Sequence, residues 1–123
     1  AIKGVINAQQ LIDVVTTADV YVHPSYIENS PNTVCETQLL DIPVIATDVG
    51  GTSSLIHHND TGLLVPANDP YLMAADITKV IADVTLAEHL SINGRKAALD
   101  RHNPQSIVDG LVNIFKELVS NKK

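Results

Sequence analysis

The chain has 123 residues, enough for one domain that buries roughly two-thirds of its unfolded surface without a disulfide or a metal. Hydrophobic residues make up 45% and charged residues 18%, an ordinary balance for a globular domain, and no apolar run approaches the ~18 residues of a membrane span. The formal charge of −6 argues against nucleic acid, whose binders carry a basic footprint, and the single Cys35 excludes an internal disulfide and fits a reducing compartment.

In chain order, Asn7 to Thr17 places apolar residues at Leu11, Ile12, Val14 and Val15, a helical spacing with Asn7 as its N-cap. Asp19 to His23 is a short β-branched run that Pro24 stops. Asn32 is the expected N-cap of a helix through Leu40, with Asp41 closing it. Pro43 to Thr47 is continuously apolar, as a strand covered on both faces should be. Gly50-Gly51 is a turn, followed by a short helical turn around Ser53 to Leu55. A polar loop then leads to a third strand, Gly62 to Val65, stopped by Pro66.

Asp69-Pro70 opens a helix with Pro at its first position, carrying apolar residues from Leu72 to Val84. Thr85 is expected to begin the next helix, with Glu88 completing a capping box, and that helix runs towards Arg101. Asn103-Pro104 starts the last helix, about residues 104–119, with Ile107, Val108, Leu111, Val112, Ile114, Phe115 and Leu118 on its apolar face. Strands separated by helices predict a parallel sheet in a Rossmann-like, three-layer α/β/α arrangement. Three strands are few for a sheet, which suggests that further strands precede them.

The richest stretch is Glu28-Asn29-Ser30-Pro31-Asn32-Thr33-Val34-Cys35-Glu36. It sets Glu28 on a loop at the carboxyl end of a strand and Glu36 inside the next helix, the crevice where open parallel sheets bind ligands. Backbone N–H groups of Asn32, Thr33 and Val34 at the helix start suit a phosphate, although a plain N-cap by Asn32 accounts for the same residues. Glu36 has the geometry of an acidic residue that reads a ribose diol; the plain alternative is a first-turn glutamate favoured by the helix dipole. Gly50 and Gly51 either let backbone approach a ligand or simply make a tight turn. His23 follows the strand towards the crevice, where a lone histidine is more often structural. His57-His58 beside Asp60 lacks a third ligand in register for a metal. Cys35 reads as a buried inert thiol, and Arg95 and Lys96 as solvated side chains.

The ordered series strand–Pro24-Ser25–loop–Glu28-x7-Glu36, then Asp41-Ile42-Pro43-Val44-Ile45-Ala46-Thr47, Gly50-Gly51 and Thr61-Gly62-Leu63-Leu64-Val65 resembles the donor site of GT-B glycosyltransferases, family 4 in particular. The resemblance runs from about Val5 to the end. It implies the C-terminal half of a GT-B fold, a single nucleotide-sugar-binding domain spanning residues 1–123. The start Ala1-Ile2-Lys3-Gly4 has no initiator Met, and this domain is expected to be truncated at its N-terminus.

The implied function is the donor-binding part of a retaining glycosyltransferase. It would transfer a sugar from a nucleoside-diphosphate sugar to a hydroxyl acceptor in glycan or polysaccharide synthesis. The family places its second Glu, here Glu36, on the ribose and its first, here Glu28, near the donor sugar and its leaving phosphate. There Glu28 is the expected catalytic residue, accepting from sugar hydroxyls or stabilising positive charge at the anomeric carbon; the plain alternative is a solvated loop glutamate. It implies no cofactor and no metal. The expected partners are the nucleotide-sugar donor and an N-terminal acceptor-binding domain of the same enzyme. The expected location is the cytoplasm, with peripheral contact at the inner membrane face through the other half.

The chain departs from the family at Asn29, often Gly, and at Ser30, often aromatic, while Pro31 is kept. The Arg and Lys that usually precede the first Glu are absent, Lys3 being the sole Lys or Arg before Glu28. The chain alone is therefore expected to be inactive and to bind donor weakly. Rival readings are another GT-B enzyme, such as a nucleotide-sugar epimerase or a storage-glucan synthase, and a non-catalytic nucleotide- or phosphate-binding module.

Overall fold

The run Val44-Ile45-Ala46 has no polar side chain to offer water, so it folds where both of its faces are covered. The computed structural model describes residues 4–121, so Lys3 and the Lys122-Lys123 end lie outside it. The elements are α1 (Ala8–Val15), β1 (Tyr21–His23), α2 (Asn32–Leu39), β2 (Val44–Thr47), a 3-10 turn (Thr52–Ser54), β3 (Leu63–Val65), α3 (Pro70–Ala82), α4 (Val84–Arg101) and α5 (Pro104–Ser120). The sheet is parallel in the order β1-β2-β3, with Tyr21 opposite Val44 and Ile45 opposite Leu63. β2 is central, and every residue in it is buried.

Strand alternation divides the core between the two faces. Val44 and Ala46 pack with Val34 and Cys35 of α2 and with Leu55 and Ile56, while Ile45 packs with Leu63, Val65, Met73, Val80 and Leu90 from β3, α3 and α4. This is the expected α/β/α layering. α4 also reaches round to α2 through buried polar contacts. Gln38 donates to the carbonyls of Leu55 (3.3 Å) and Thr61 (3.2 Å), and Arg101 donates to the Leu55 carbonyl (2.9 Å) and to Gln38 Oε1 (3.4 Å). These contacts tie the chain after β2 to both helices. Cys35 is buried, as expected, with Arg101 Nη1 3.4 Å from its sulfur.

Two local expectations need correction. α2 is capped by Pro31, with no side-chain cap, and Asn32 is its first helical residue. Pro31 is extended at φ −70° and ψ 108° and takes the cap position, so the helix begins one residue earlier than a cap at Asn32 requires. The next helix begins at Val84, not Thr85, because the Asp83 carboxylate accepts from the Leu86 N–H at 3.0 Å. The Asp83 N–H also closes α3 on the Lys79 carbonyl, so one residue serves both helices and Val84 belongs to the second. The apolar face of α5 is present, but no residue of α5 is buried: Ile107, Leu111, Phe115 and Leu118 all face outwards. The other caps agree with the sequence, Asn7 forming a reciprocal capping box with Gln10 and Asn103 accepting from Gln105 and Ser106. No described helix is long and apolar enough to cross a membrane.

The two outer edges of the sheet differ. At β3 the Leu64 N–H is taken by His58 Nδ1 at 3.0 Å, so the edge is closed from within. At β1 the Tyr21 N–H pairs inwards with the Pro43 carbonyl at 2.9 Å, which turns the Val22 amide and carbonyl outwards, where no described strand meets them.

Ile45→Ala should lower the unfolding free energy by about 2–5 kcal/mol, read from the urea midpoint, since it empties the centre of one face. Asp83→Ala should cost about 1 kcal/mol, and Thr85→Ala less than about 0.5 kcal/mol, if Asp83 is the cap.

Candidate functional site

β1 ends at His23, and Pro24 allows no further ladder hydrogen bond, so the chain turns away at the carboxyl end of the strand. Thr47, at the matching end of β2, holds that turn. Its hydroxyl donates to the Ser25 carbonyl and, at 3.4 Å, lies against that of His23. The loop then brings Glu28 back over the strand end, where its Oε1 lies 3.0 Å from His23 Nε2 and 3.3 Å from the Ser25 hydroxyl. The His23 and Glu28 side chains are 14% and 25% exposed, so the contact is largely sheltered from water.

From the other side the loop meets Gly50-Gly51. Gly50 has φ +52°, in the left-handed region, and a Cβ there would overlap the Glu28 carbonyl oxygen. A Cβ on Gly51 would overlap the Asn29 carbonyl oxygen. What approaches these glycines is thus the chain's own backbone at Glu28-Asn29. The next residue, Thr52, is fully buried, and its hydroxyl has no partner among the described residues.

The remaining predicted residues divide into two groups. Asn29, Ser30 and Asn32 are exposed on the loop and the first turn of α2. Pro31 is buried, and Val34 is wholly buried in the core with its N–H bonded to the Pro31 carbonyl at 3.1 Å. That removes the Val34 amide from the set expected to face a phosphate and leaves those of Asn32 and Thr33, which no side chain caps. Thr33 and Glu36, three apart on α2, share the wall of a cleft of about 310 Å³ with Tyr21 of β1 and Leu11, Ile12 and Val15 of α1. Glu36 is exposed there, and no described side chain pairs with it. A smaller pocket of about 130 Å³ lies between the strand ends and the start of α3, lined by Ser25, Tyr26, Thr47 and Asn68 among others.

The residues outside the crevice have other duties. His58 is occupied at the sheet edge, and Asp60 sits 2.8 Å from the Asn93 amide and 3.6 Å from His89 Nε2. Arg95 reaches Asp41 at 3.9 Å with both side chains about half exposed, close to the solvated position expected of it. Three contributors fall outside the Glu28–Glu36 stretch: Tyr21, Thr47 and the firm engagement of His23. Their signal lies in the strand itself, since Tyr21 and His23 are two apart and therefore on one face, but only the fold shows what that face meets.

The profile of the family described as Glycosyl transferases group 1 matches residues 2–97, most of the chain and all of this crevice. The chain belongs to that family. It is 30% identical over 105 residues to the capsular polysaccharide biosynthesis glycosyltransferase CapM of Staphylococcus aureus, covering 85% of this chain and 28% of that protein. Among solved structures it superposes on sucrose-phosphate synthase from Thermosynechococcus elongatus with a TM-score of 0.83 and 31% identity, covering 98% of this chain and 30% of that one. Anabaena HepE, solved in complex with UDP-glucose, matches with a TM-score of 0.72 over 81% of this chain and 29% of that one, at 24% identity. The last likeness speaks for the fold alone. The chain thus spans under a third of the length of each of these proteins.

Because both glycines abut main chain rather than flexible side chains, Gly50→Ala and Gly51→Ala should each displace the Glu28 loop and cost about 1–3 kcal/mol. The check is amide NMR with thermal unfolding: shifts should gather at residues 28–30, and a variant that keeps both the shifts and the midpoint of the parent would refute the contact.

Proposed function

We propose that this chain is the donor-binding part of a retaining glycosyltransferase of the family 4 type, which moves a sugar from a nucleoside-diphosphate sugar to a hydroxyl acceptor in glycan or polysaccharide synthesis. The observation that carries the reading is the pairing of a fixed Glu28 with an unpaired, exposed Glu36 across the start of a helix that no side chain caps. In this reading Glu36 accepts hydrogen bonds from the two ribose hydroxyls. The Asn32 and Thr33 amides, with the positive end of the α2 dipole, face the diphosphate. Glu28 faces the sugar through Oε2, the oxygen that no described group occupies.

The chemistry asked of such a site is departure of the diphosphate. The bond from the anomeric carbon to the phosphate oxygen breaks with its electron pair on the oxygen. The acceptor hydroxyl oxygen then bonds to the anomeric carbon on the same face and passes its proton to the departing phosphate oxygen. Positive charge gathers on the sugar as the bond breaks, and a nearby carboxylate stabilises it. No metal is required in this scheme: helix amides and cations from elsewhere in the enzyme balance the diphosphate. Asn29 and Ser30, exposed beside Glu28, and the Gly50-Gly51 turn behind it complete the proposed donor subsite.

The chain alone is proposed to bind donor weakly and to turn over none, with the acceptor domain completing the enzyme at the cytoplasmic membrane face. Closure of the two halves would exclude water from the cleft.

A titration of UDP, GDP and ADP followed by amide NMR tests the reading. One nucleotide should shift resonances at residues 28–36 and 50–51, and Glu36→Ala should weaken its binding about 10–100-fold, the value of hydrogen bonds to a charged acceptor. Shifts located elsewhere, or binding indifferent to Glu36→Ala, would contradict it.

A further inference from the structure

Glu28 does not stand alone. His23 Nε2 lies 3.0 Å from Glu28 Oε1, and His23 Nδ1 lies 3.4 Å from the Tyr21 hydroxyl. A carboxylate can only accept, so Nε2 carries the hydrogen, and Nδ1 is left to face the tyrosine hydroxyl. Tyr21 and His23 are neighbours on one face of β1, their rings stacked 6.2 Å apart at 25°. Tyr21 also walls the cleft that Glu36 faces. A run of three side chains therefore leads from the Glu36 cleft to the Glu28 carboxylate, anchored on a strand hydrogen-bonded to the buried β2.

We propose that His23 is a positioning residue for sugar recognition: it orients the Glu28 carboxylate so that Oε2 faces the sugar of the donor. This rests on the donor-binding reading. A loop glutamate left to itself samples many rotamers, and a ligand that uses it must first select one. Here both side-chain donors, His23 and Ser25, converge on Oε1, and no described side chain bonds Oε2. One oxygen is spent on orientation, and the other remains for a ligand hydroxyl. A donor from β1 is better suited to this than one from the loop, because the strand is fixed by its ladder while the loop moves with its own turns. Ser25 alone leaves the carboxylate free to rotate about its single contact.

Two measurements on the whole 123-residue chain test this. The first needs no ligand: the side-chain carboxyl carbon resonance of Glu28 should move in His23→Ala and return towards the parent value in His23→Gln, whose amide nitrogen can reach the same oxygen. A resonance indifferent to His23→Ala overturns the proposal, whether or not any nucleotide binds. The second uses UDP and UDP-glucose as probes. His23→Ala should weaken UDP-glucose about tenfold, the scale of one charge-assisted hydrogen bond, while leaving UDP within about twofold, and His23→Gln should restore the difference. Tyr21→Phe, which keeps the ring on the cleft wall, should show a smaller loss of the same selective kind. Equal loss for UDP and UDP-glucose would mean general damage to the fold and overturns the proposal. Failure of the unaltered chain to bind UDP at all counts against the donor reading, and the carboxyl resonance then decides the role of His23 by itself.

Discussion

Main chain lies against main chain where Gly50-Gly51 meets Glu28-Asn29, with no side chain between them. That approach is possible only because neither glycine carries a Cβ and because Gly50 adopts a left-handed backbone. It fixes the loop after β1 from behind, while Thr47 fixes its start and Pro31, buried as the cap of α2, fixes its end. A loop of exposed residues is thereby given three points of attachment to a rigid sheet, and Glu28 takes its place from them. The buried β2 is what makes those points rigid, since Thr47 ends it and the glycines follow it.

The division of labour between the two carboxylates follows from where the chain puts them. Glu28 is half-buried and already engaged by two donors, a poor surface charge but a well-oriented acceptor. Glu36 is exposed on a helix, in a cleft whose other residues are mostly apolar, and is free to take a ligand. The Tyr21–His23 pair runs between these environments. A donor with ribose at one end and sugar at the other would meet both carboxylates in turn.

Much of this was legible in the residues. Continuous apolarity at Val44-Ile45-Ala46 identifies the central strand, Pro24 and Pro66 mark strand ends, and Asp69-Pro70 and Asn103-Pro104 mark helix starts; all appear as expected. Three features resist such reading. The cap at Asp83 competes with a better-looking Thr85-x-x-Glu88 pattern, and local sequence does not say which backbone turn closes first. Val34 is one of three consecutive residues at a helix start, yet its side chain belongs to the core and its amide bonds to Pro31, a consequence of the helix phase and of the Pro31 geometry. Gly50-Gly51 announces a turn without naming its neighbour, because the neighbour is 22 residues earlier and arrives only through the parallel pairing of β1 with β2. The amphipathic α5 is likewise plain in the sequence, whereas the outward orientation of its apolar face is a property of the fold.

The claim on which the account turns is that one donor molecule spans Glu36 and Glu28 across the start of α2. A crystal structure of the chain with UDP-glucose tests it most directly. The account predicts ribose hydroxyls within about 3 Å of the Glu36 carboxylate and a sugar hydroxyl on Glu28 Oε2, with Oε1 still on His23. A nucleotide seated instead among Tyr26, Thr47 and Asn68 at the other pocket, with Glu36 untouched, would contradict it.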